Sequence, residues 1–360
     1  MPSPSFLLYG SYDYTGSLIA KMAVQRGLRP TLAGRDEEKL RQQANELNSS
    51  TPSLGLDHRP FTLDNPGQIA EILRDYPLVL HCAGPFSKTS TPMVEACLWT
   101  GTHYLDITGE ITVFETLAAL DEMAKKVGAM LLPGVGFDVV PTDCLALHLK
   151  NRLPTATHLA LGLLSVGGAV SRGTALTGLE RLNGWGAVRH QGKITPVPLG
   201  HRIRPFDFGR GPRPASAIPW GDVSTAWYST GIPNIGVYNA NFGRLGLLMR
   251  WAWLVAPLLN SKPVSNLLKG IVRARFKGPT QAQNRNGMVL VCGEVMDANG
   301  TRVRSRLQTP EAYQTTALTA LAAVEKVLAG QTKPGFQTPA KAFGADFIME
   351  IEGVKREDVA

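Results

Sequence analysis

Cysteine is scarce in this chain: four in 360 residues, at positions 82, 97, 144 and 292. They form no CxxC pair and no Cys/His cluster. Neither a zinc site nor a disulfide framework is implied, and reduced thiols in a cytoplasmic protein are the simple expectation. The N-terminus, Met1-Pro2-Ser3-Pro4-Ser5, lacks a basic region and a long apolar core, which argues against a secretory signal. No internal repeat or low-complexity tract is present. With 44% hydrophobic and 18% charged residues, the balance excludes a disordered chain. Several signatures of chemistry are missing too. There is no G-x-S-x-G elbow, no GKS/T phosphate loop and no HExxH, so hydrolase, NTPase and metalloprotease readings fall away. None of the eight tyrosines is followed by Lys four residues later, so the Tyr-x-x-x-Lys pair of short-chain dehydrogenases is absent.

What is present is alternation. Apolar runs at 6–9, 30–33, 59–63, 78–82, 103–106 and 129–132 read as strands. Between them lie helical patterns: one carrying Leu18, Ile19, Met22 and Ala23 and ending near Gly27, then 36–47 with Asp36 as N-cap, 66–74, 92–99 and 113–126. Strands separated by such helices predict right-handed βαβ units and a parallel sheet. After Asn151-Arg152-Leu153-Pro154 the pattern changes. Strands at 288–297 and 301–307 joined through Asn299-Gly300 predict a hairpin, and 311–328 a long helix. The expectation is an α/β chain: a Rossmann-type parallel-sheet domain over 1–150 and a second α+β domain, largely antiparallel, over 151–310. A C-terminal helix and tail, 311–360, would pack back on the first domain.

The strongest local signal is Tyr9-Gly10-Ser11-Tyr12-Asp13-Tyr14-Thr15-Gly16, set between the first strand and the first helix. A tight turn there brings backbone close to a pyrophosphate, and the helix N-terminus supplies N–H groups and a favourable dipole. Gly10 and Gly16 fit the ends of a G-x-x-G-x-x-G turn. Asp13 replaces the middle glycine, in keeping with the tolerance of Asp for positive φ. At the end of the second strand, Ala33-Gly34-Arg35 puts a guanidinium where NAD enzymes carry an acid. Arg35 suits a 2′-phosphate, with Lys39 one turn on, so NADP is preferred over NAD. The third element is His81-Cys82-Ala83-Gly84-Pro85-Phe86, after the fourth strand, where small residues let backbone approach a cofactor.

Hydride chemistry also asks for proton donors near the cleft. Tyr104, Asp106, Thr108 and Glu110, around the fifth strand, and Asp138 and Asp143, beside the close-approaching Gly134 and Gly136, are the candidates. Site lining competes with helix capping and loop bracing as the role of Asp106, Glu110 and Asp138. His81 and His103 read as structural.

Net charge is +8, spread unevenly. From 181 to 293 fifteen Lys/Arg face two acids, Asp207 and Asp222, a local +13 that leaves −5 for the remainder. A basic block calls for an anionic partner, such as a phosphate-bearing substrate, an acidic carrier or anionic lipid, unless it is simply a solvated surface. It contains no nucleic-acid-binding module, so nucleic acid is not expected. The apolar stretch 245–259 is too short to span a bilayer. It reads as a buried helix, or as an interfacial or acyl-binding one beside Lys262, Lys269, Arg273, Arg275 and Lys277.

Taken in order, GSYDYTG, AGR, HCAGPF, EACLWTGTHYLDITGE, PGVGFDVVPTD and GFQTPAKAFGADF resemble the saccharopine dehydrogenase-like oxidoreductases, most closely the branch labelled trans-acting enoyl reductase. The resemblance covers most of the first 150 residues and the last 60, and is weak between. It implies a Rossmann domain, NADP use, and dinucleotide phosphates held by Gly10, Thr15, Gly16 and Arg35, with Ser11 and Tyr14 in the same turn. Ala83, Gly84 and Pro85 would line the nicotinamide side. The expected activity is a reductase of an acyl or otherwise lipophilic substrate, such as an enoyl group on a carrier. The alternatives are an amino-acid-type dehydrogenase acting on an imine or 2-oxo acid, and a non-catalytic NADP-binding or membrane-surface protein. A homodimer and a cytoplasmic location, peripheral to the membrane at most, complete the expectation.

Overall fold

The computed structural model describes residues 5–53, 55–167, 185–243 and 287–359, together with positions 246, 251, 264 and 270. The chain divides into two compact units. The first comprises Met1–Val140 and Tyr313–Gly344, the second Pro141–Ala312 and Ala345–Ala360.

In the first unit, strands β1 (Ser5–Tyr9), β2 (Arg29–Gly34), β3 (His58–Pro60), β4 (Leu78–His81), β5 (His103–Asp106) and β6 (Met130–Leu132) alternate with helices α1 (Tyr14–Gln25), α2 (Glu37–Ser50), α3 (Pro66–Leu73), α4 (Phe86–Thr100), α5 (Ile111–Ala118) and α6 (Asp121–Val127). All strand pairs are parallel. The order is β15-β6-β5-β4-β1-β2-β3, where β15 is Gly335–Phe336 from the far end of the chain. This is the doubly wound Rossmann arrangement, and the order reverses between β1 and β4. β1, β4 and β5 are buried on both faces, so they read as apolar runs rather than as alternation.

Two helices depart from their sequence patterns. Helix α4 begins at Phe86, six residues before Pro92, because the Glu110 carboxylate accepts from the N–H groups of Phe86 (2.9 Å) and Ser87 (3.1 Å) and so caps it. The single helix expected over 113–126 is two. The break falls before Asp121, whose carboxylate accepts from the Phe336 N–H (2.7 Å) and pairs with Lys125 (2.6 Å).

The second unit is built on a nine-stranded mixed sheet. Its strands are β7 (His158–Val166), β8 (Trp185–His190), β9 (Lys193–Pro198), β10 (Ile203–Asp207), β11 (Pro212–Ile218), β12 (Asn234–Asn239), β13 (Met288–Met296), β14 (Arg302–Pro310) and β16 (Lys355–Val359). Only β12 and β7 run parallel; every other pair is antiparallel. The β13–β14 hairpin turns at Gly300, with φ +84°. One face carries α7 (Val140–Arg152), which lies against β13 where Gly293 leaves room: a Cβ there would meet Leu149 Cδ1 at 2.5 Å. Helix α8 (Asp222–Thr230) also belongs to this unit.

Sequence spacing drew the boundary near 150 and sent all of 311–360 to the first unit. In the structure the second unit begins at Pro141, and β16 pairs with β14, which draws the last residues into the second sheet. Helix α9 (Ala312–Leu328) belongs to the first unit from Tyr313 onward, as does α10 (Pro339–Phe343). The apolar stretch 245–259 and its basic neighbours 262–277 lie almost entirely outside the described residues. No described helix is long and apolar enough to cross a membrane.

Candidate functional site

Strand register assembles the site. Cα pairing sets Arg59 beside Ala33, Ala33 beside Tyr9, Tyr9 beside His81 and His81 beside Asp106, one continuous row along the carboxyl edge of the first sheet. The loops that follow this row carry most of the residues singled out from sequence. They sit where open α/β sheets take their ligands.

The β1–α1 turn is tight. Gly10 has φ +80°, and a Cβ there would meet the Ala83 backbone N at 2.8 Å. A Cβ on Gly16, in the first turn of α1, would lie 2.1 Å from the Gly10 carbonyl oxygen. Both positions therefore demand glycine, and together they press α1 and the β4 loop onto the turn. Asp13 is not in the left-handed region. It is the N-cap at φ −72°, exposed, because Gly10 already supplies the positive φ the turn needs. No acid stands in the first turn of α1, so the helix presents its positive end to the edge.

Ser11 departs from its expected role. It is fully buried, its hydroxyl donates to Gln43 Oε1 (2.8 Å), and its carbonyl accepts from Gln43 Nε2 (2.7 Å). Its backbone N–H is spent on Ala33 O (3.3 Å). Ser11 therefore fixes the turn to α2, with side chain and N–H both committed inward. Tyr14 packs edge-on against Tyr313 (5.0 Å between rings), and Thr15 is half-buried.

Arg35 follows β2 and is exposed, and it makes no ion pair or hydrogen bond among the described residues. Lys39 pairs with Asp36 at 2.7 Å in a solvent-exposed contact. A second cation was missed from sequence. Arg59 lies on β3 beside Ala33, exposed and also without an ion pair among the described residues. The signal for it was its place in the third strand, but only sheet order brings β3 next to β2.

The β4 loop is tied from three sides. His81 is fully buried, stacked on Tyr9 (5.4 Å, 12°) and edge-on to Phe86 (5.4 Å). Burial pushes its pKa down to about 3, so the ring is neutral. Its Nε2 meets Thr89 Oγ1 at 3.0 Å, and that hydroxyl in turn lies 2.7 Å from Ala83 O and 3.1 Å from Pro85 O. A single Thr89 hydroxyl thus knits Ala83, Pro85 and His81, while Glu110 caps the helix that follows. The Gly84–Pro85 peptide is cis.

Tyr104 and Asp106 do not line a cleft; both are fully buried. Tyr104 donates its hydroxyl to Asp106 Oδ2 (2.8 Å), and Asp106 Oδ1 accepts from the N–H groups of Thr108 (2.9 Å) and Gly134 (2.8 Å). Burial raises the Asp106 pKa to about 6, against the downward pull of these hydrogen bonds. One carboxyl therefore braces the loops after β5 and β6. Glu110, through its cap on α4, also acts on a loop. The half-buried Asp138 lies over Gly109, where a Cβ would meet its Oδ2 at 2.4 Å. Asp143 is buried in α7 of the second unit and accepts from the Ser229 hydroxyl. His103 Nδ1 accepts from Met130 N (3.0 Å), a structural tie between β5 and β6.

Residues 6–132 match the family model described as "Saccharopine dehydrogenase NADP binding domain". The first unit carries an NADP-binding domain of the saccharopine dehydrogenase family. Of curated proteins similar to the chain, a saccharopine dehydrogenase-like oxidoreductase of Rattus norvegicus is 27% identical over 220 residues, covering 55% of this chain and 51% of that protein. A trans-acting enoyl reductase of Mycobacterium ulcerans is 31% identical over 153 residues, covering 41% and 35%. The chain thus spans about half the length, or less, of these relatives. Among solved structures, the apo saccharopine dehydrogenase (L-Glu forming) of Saccharomyces cerevisiae superposes with a TM-score of 0.65 at 13% identity, over 99% of this chain and 100% of that one. The two-unit fold is therefore that of saccharopine dehydrogenase. The first unit offers a turn that only glycine can build, a helix with no acid in its first turn, and guanidiniums at the end of β2 and on β3 that make no ion pair among the described residues; these are features of the kind that suit phosphates.

Proposed function

We propose that the protein is an NADP-dependent reductase of an acyl or otherwise lipophilic substrate, of the enoyl reductase type. The observation that carries the cofactor part is the level row at the carboxyl edge, which sets the Gly10 turn between the β4 loop on one side and β2, with Arg35 and Arg59, on the other. Gly10, Tyr14, Thr15 and Gly16 would hold the pyrophosphate, Arg35 and Arg59 the 2′-phosphate, and Ala83, Gly84 and Pro85 the nicotinamide side. When bound, NADPH supplies a hydride. The chain's own residues fix the loops that would receive the cofactor. Thr89 and Glu110 set the β4 loop, and Asp106 sets those after β5 and β6. Tyr104, Asp106 and Glu110 act here as positioning residues.

The acyl reading is supported by the enoyl reductase named among the relatives. A second reading, an amino-acid-type dehydrogenase reducing an imine or 2-oxo acid, is favoured by the arginines of the second unit, which suit carboxylates. Loss of NADPH absorbance against a panel of medium-chain enoyl-thioesters and 2-oxo acids, with and without ammonia, separates them. Turnover with enoyl-thioesters alone is the expected result. Turnover only with the oxo acids replaces it by the second reading, and tight NADPH binding without any turnover replaces both by a non-catalytic NADP-binding protein.

A further inference from the structure

A cavity of about 960 Å³ lies wholly within the second unit. It exists because the nine-stranded sheet curls. β10 and β13 are separated in sheet order by β11, β12 and β7, yet Arg204 on β10 donates to Glu294 on β13 (2.8 Å). Arg306 on β14 likewise reaches Asp207 at the end of β10, at 2.8 Å. The edge strand therefore folds across the concave face. Its Phe206 ring lies over Gly162 of β7, where a Cβ would come within 2.6 Å of the ring.

The hollow has an apolar floor and a basic wall. Phe206, Tyr238, Ala160 and Cys292 pack together at its base. The wall carries six arginines, at 189, 202, 204, 302, 304 and 306, against two acids, Asp207 and Glu294. The imbalance is sharpest around Glu294. This one nearly buried carboxylate faces Arg204 at 2.8 Å, Arg304 at 2.6 Å and Arg302 at 3.7 Å. Arg202, also on the wall, is exposed and has no ion pair among the described residues. Guanidiniums held over aromatic rings in a concave, partly desolvated site offer fork-shaped donors to an anion. Arg204 is stacked in this way on Phe206 (4.7 Å) and Tyr238 (5.8 Å). The volume is at the upper end for a small-molecule site. A second copy of the chain is a poor occupant, since two such hollows face to face would oppose like charges.

We infer that this hollow binds an anionic amphiphile, with a phosphate or carboxylate head on the arginine wall and an aliphatic chain along the Phe206–Tyr238 floor. The site is independent of the nucleotide reading, because no residue of the first unit contributes to the lining described.

Isothermal titration with dodecyl phosphate below its micellar concentration tests this, on the full chain already saturated with NADPH. The expected result is one site per chain. Affinity falls at least tenfold in the doubly substituted Arg202→Ala/Arg302→Ala protein, whose thermal midpoint stays that of the parent because both side chains are exposed. Inorganic phosphate binds at least tenfold more weakly than dodecyl phosphate, and dodecyltrimethylammonium gives no saturable heat. Vesicles of phosphatidylcholine with phosphatidate leave the protein in the supernatant, since their chains stay in the bilayer. No heat with dodecyl phosphate, equal binding of the cationic amphiphile, unchanged affinity in the folded variant, or sedimentation with vesicles in place of amphiphile binding would each overturn the proposal. NADPH binding in the same sample reports separately on the first unit.

Discussion

Gly16→Ala lowers NADPH affinity at least tenfold and destabilises the first unit by about 1–3 kcal/mol, the usual cost of forcing atoms into a packed site. The added methyl would stand 2.1 Å from the Gly10 carbonyl oxygen. That neighbour is backbone, so no side chain can swing away; α1 must lift off the turn, and with it the N–H groups aimed at the carboxyl edge. Gly10 cannot give way either. Its φ of +80° and the Ala83 N, 2.8 Å from its own missing Cβ, hold it from the other side. Gly27→Ala is the control. That glycine also has positive φ (+73°), but nothing lies within 4 Å of its missing Cβ. The substitution costs only backbone strain, about 1–2 kcal/mol, and leaves NADPH affinity unchanged. Titration calorimetry and thermal unfolding of the two variants decide the matter; equal affinity losses would mean the turn is not a phosphate cradle.

Asp106→Ala has the largest expected effect on stability, about 3–5 kcal/mol at pH 5, because it orphans three buried donors at once: the Tyr104 hydroxyl and the N–H groups of Thr108 and Gly134. Asp106→Asn is nearly neutral at the same pH. Its carbonyl keeps both N–H bonds, and its amide can donate to the Tyr104 oxygen. The two proteins part as pH rises. Burial lifts the Asp106 pKa from 3.8 to about 6. Between those values the folded chain keeps a proton that the unfolded chain has lost. The contribution is therefore complete below about pH 4 and lost as pH rises through 6, on the order of 3 kcal/mol in all. Urea unfolding from pH 4 to 7 reads this directly. Parent stability declines relative to that of Asp106→Asn across the window. A parallel course for the two proteins would mean the carboxyl titrates normally and does not brace the loops.

How far such features can be read from sequence depends on how local their causes are. Asp36 could be assigned as an N-cap because its partner, the Lys39 N–H, is three residues away. The 288–307 hairpin was legible from Asn299-Gly300, and the strand–helix alternation of the first unit from hydrophobic spacing. The misreadings have distant causes. α4 starts early because of Glu110, 24 residues on. The break between α5 and α6 is anchored by Phe336, 215 residues from Asp121. Ser11 turns inward toward Gln43 on another helix. Tyr104 and Asp106 occupy the β5 positions expected of cleft residues, yet both are consumed by the loops around them. Arg59 became visible only when register set β3 beside β2, and the basic hollow only when the second sheet curled β10 onto β13.

The central claim is that the Gly10 cradle and the Arg35 guanidinium hold NADP rather than NAD. Calorimetric titration of the parent chain and of Arg35→Ala with NADPH and NADH tests it most directly. The parent should bind NADPH at least tenfold more tightly than NADH, as a charge-assisted contact worth about 1.5–3 kcal/mol requires. Arg35→Ala should cut that preference, and the doubly substituted Arg35→Ala/Arg59→Ala protein should erase it, with NADH binding intact in both. No heat with either dinucleotide, or a preference for NADPH that is unchanged by the loss of Arg35, would contradict it.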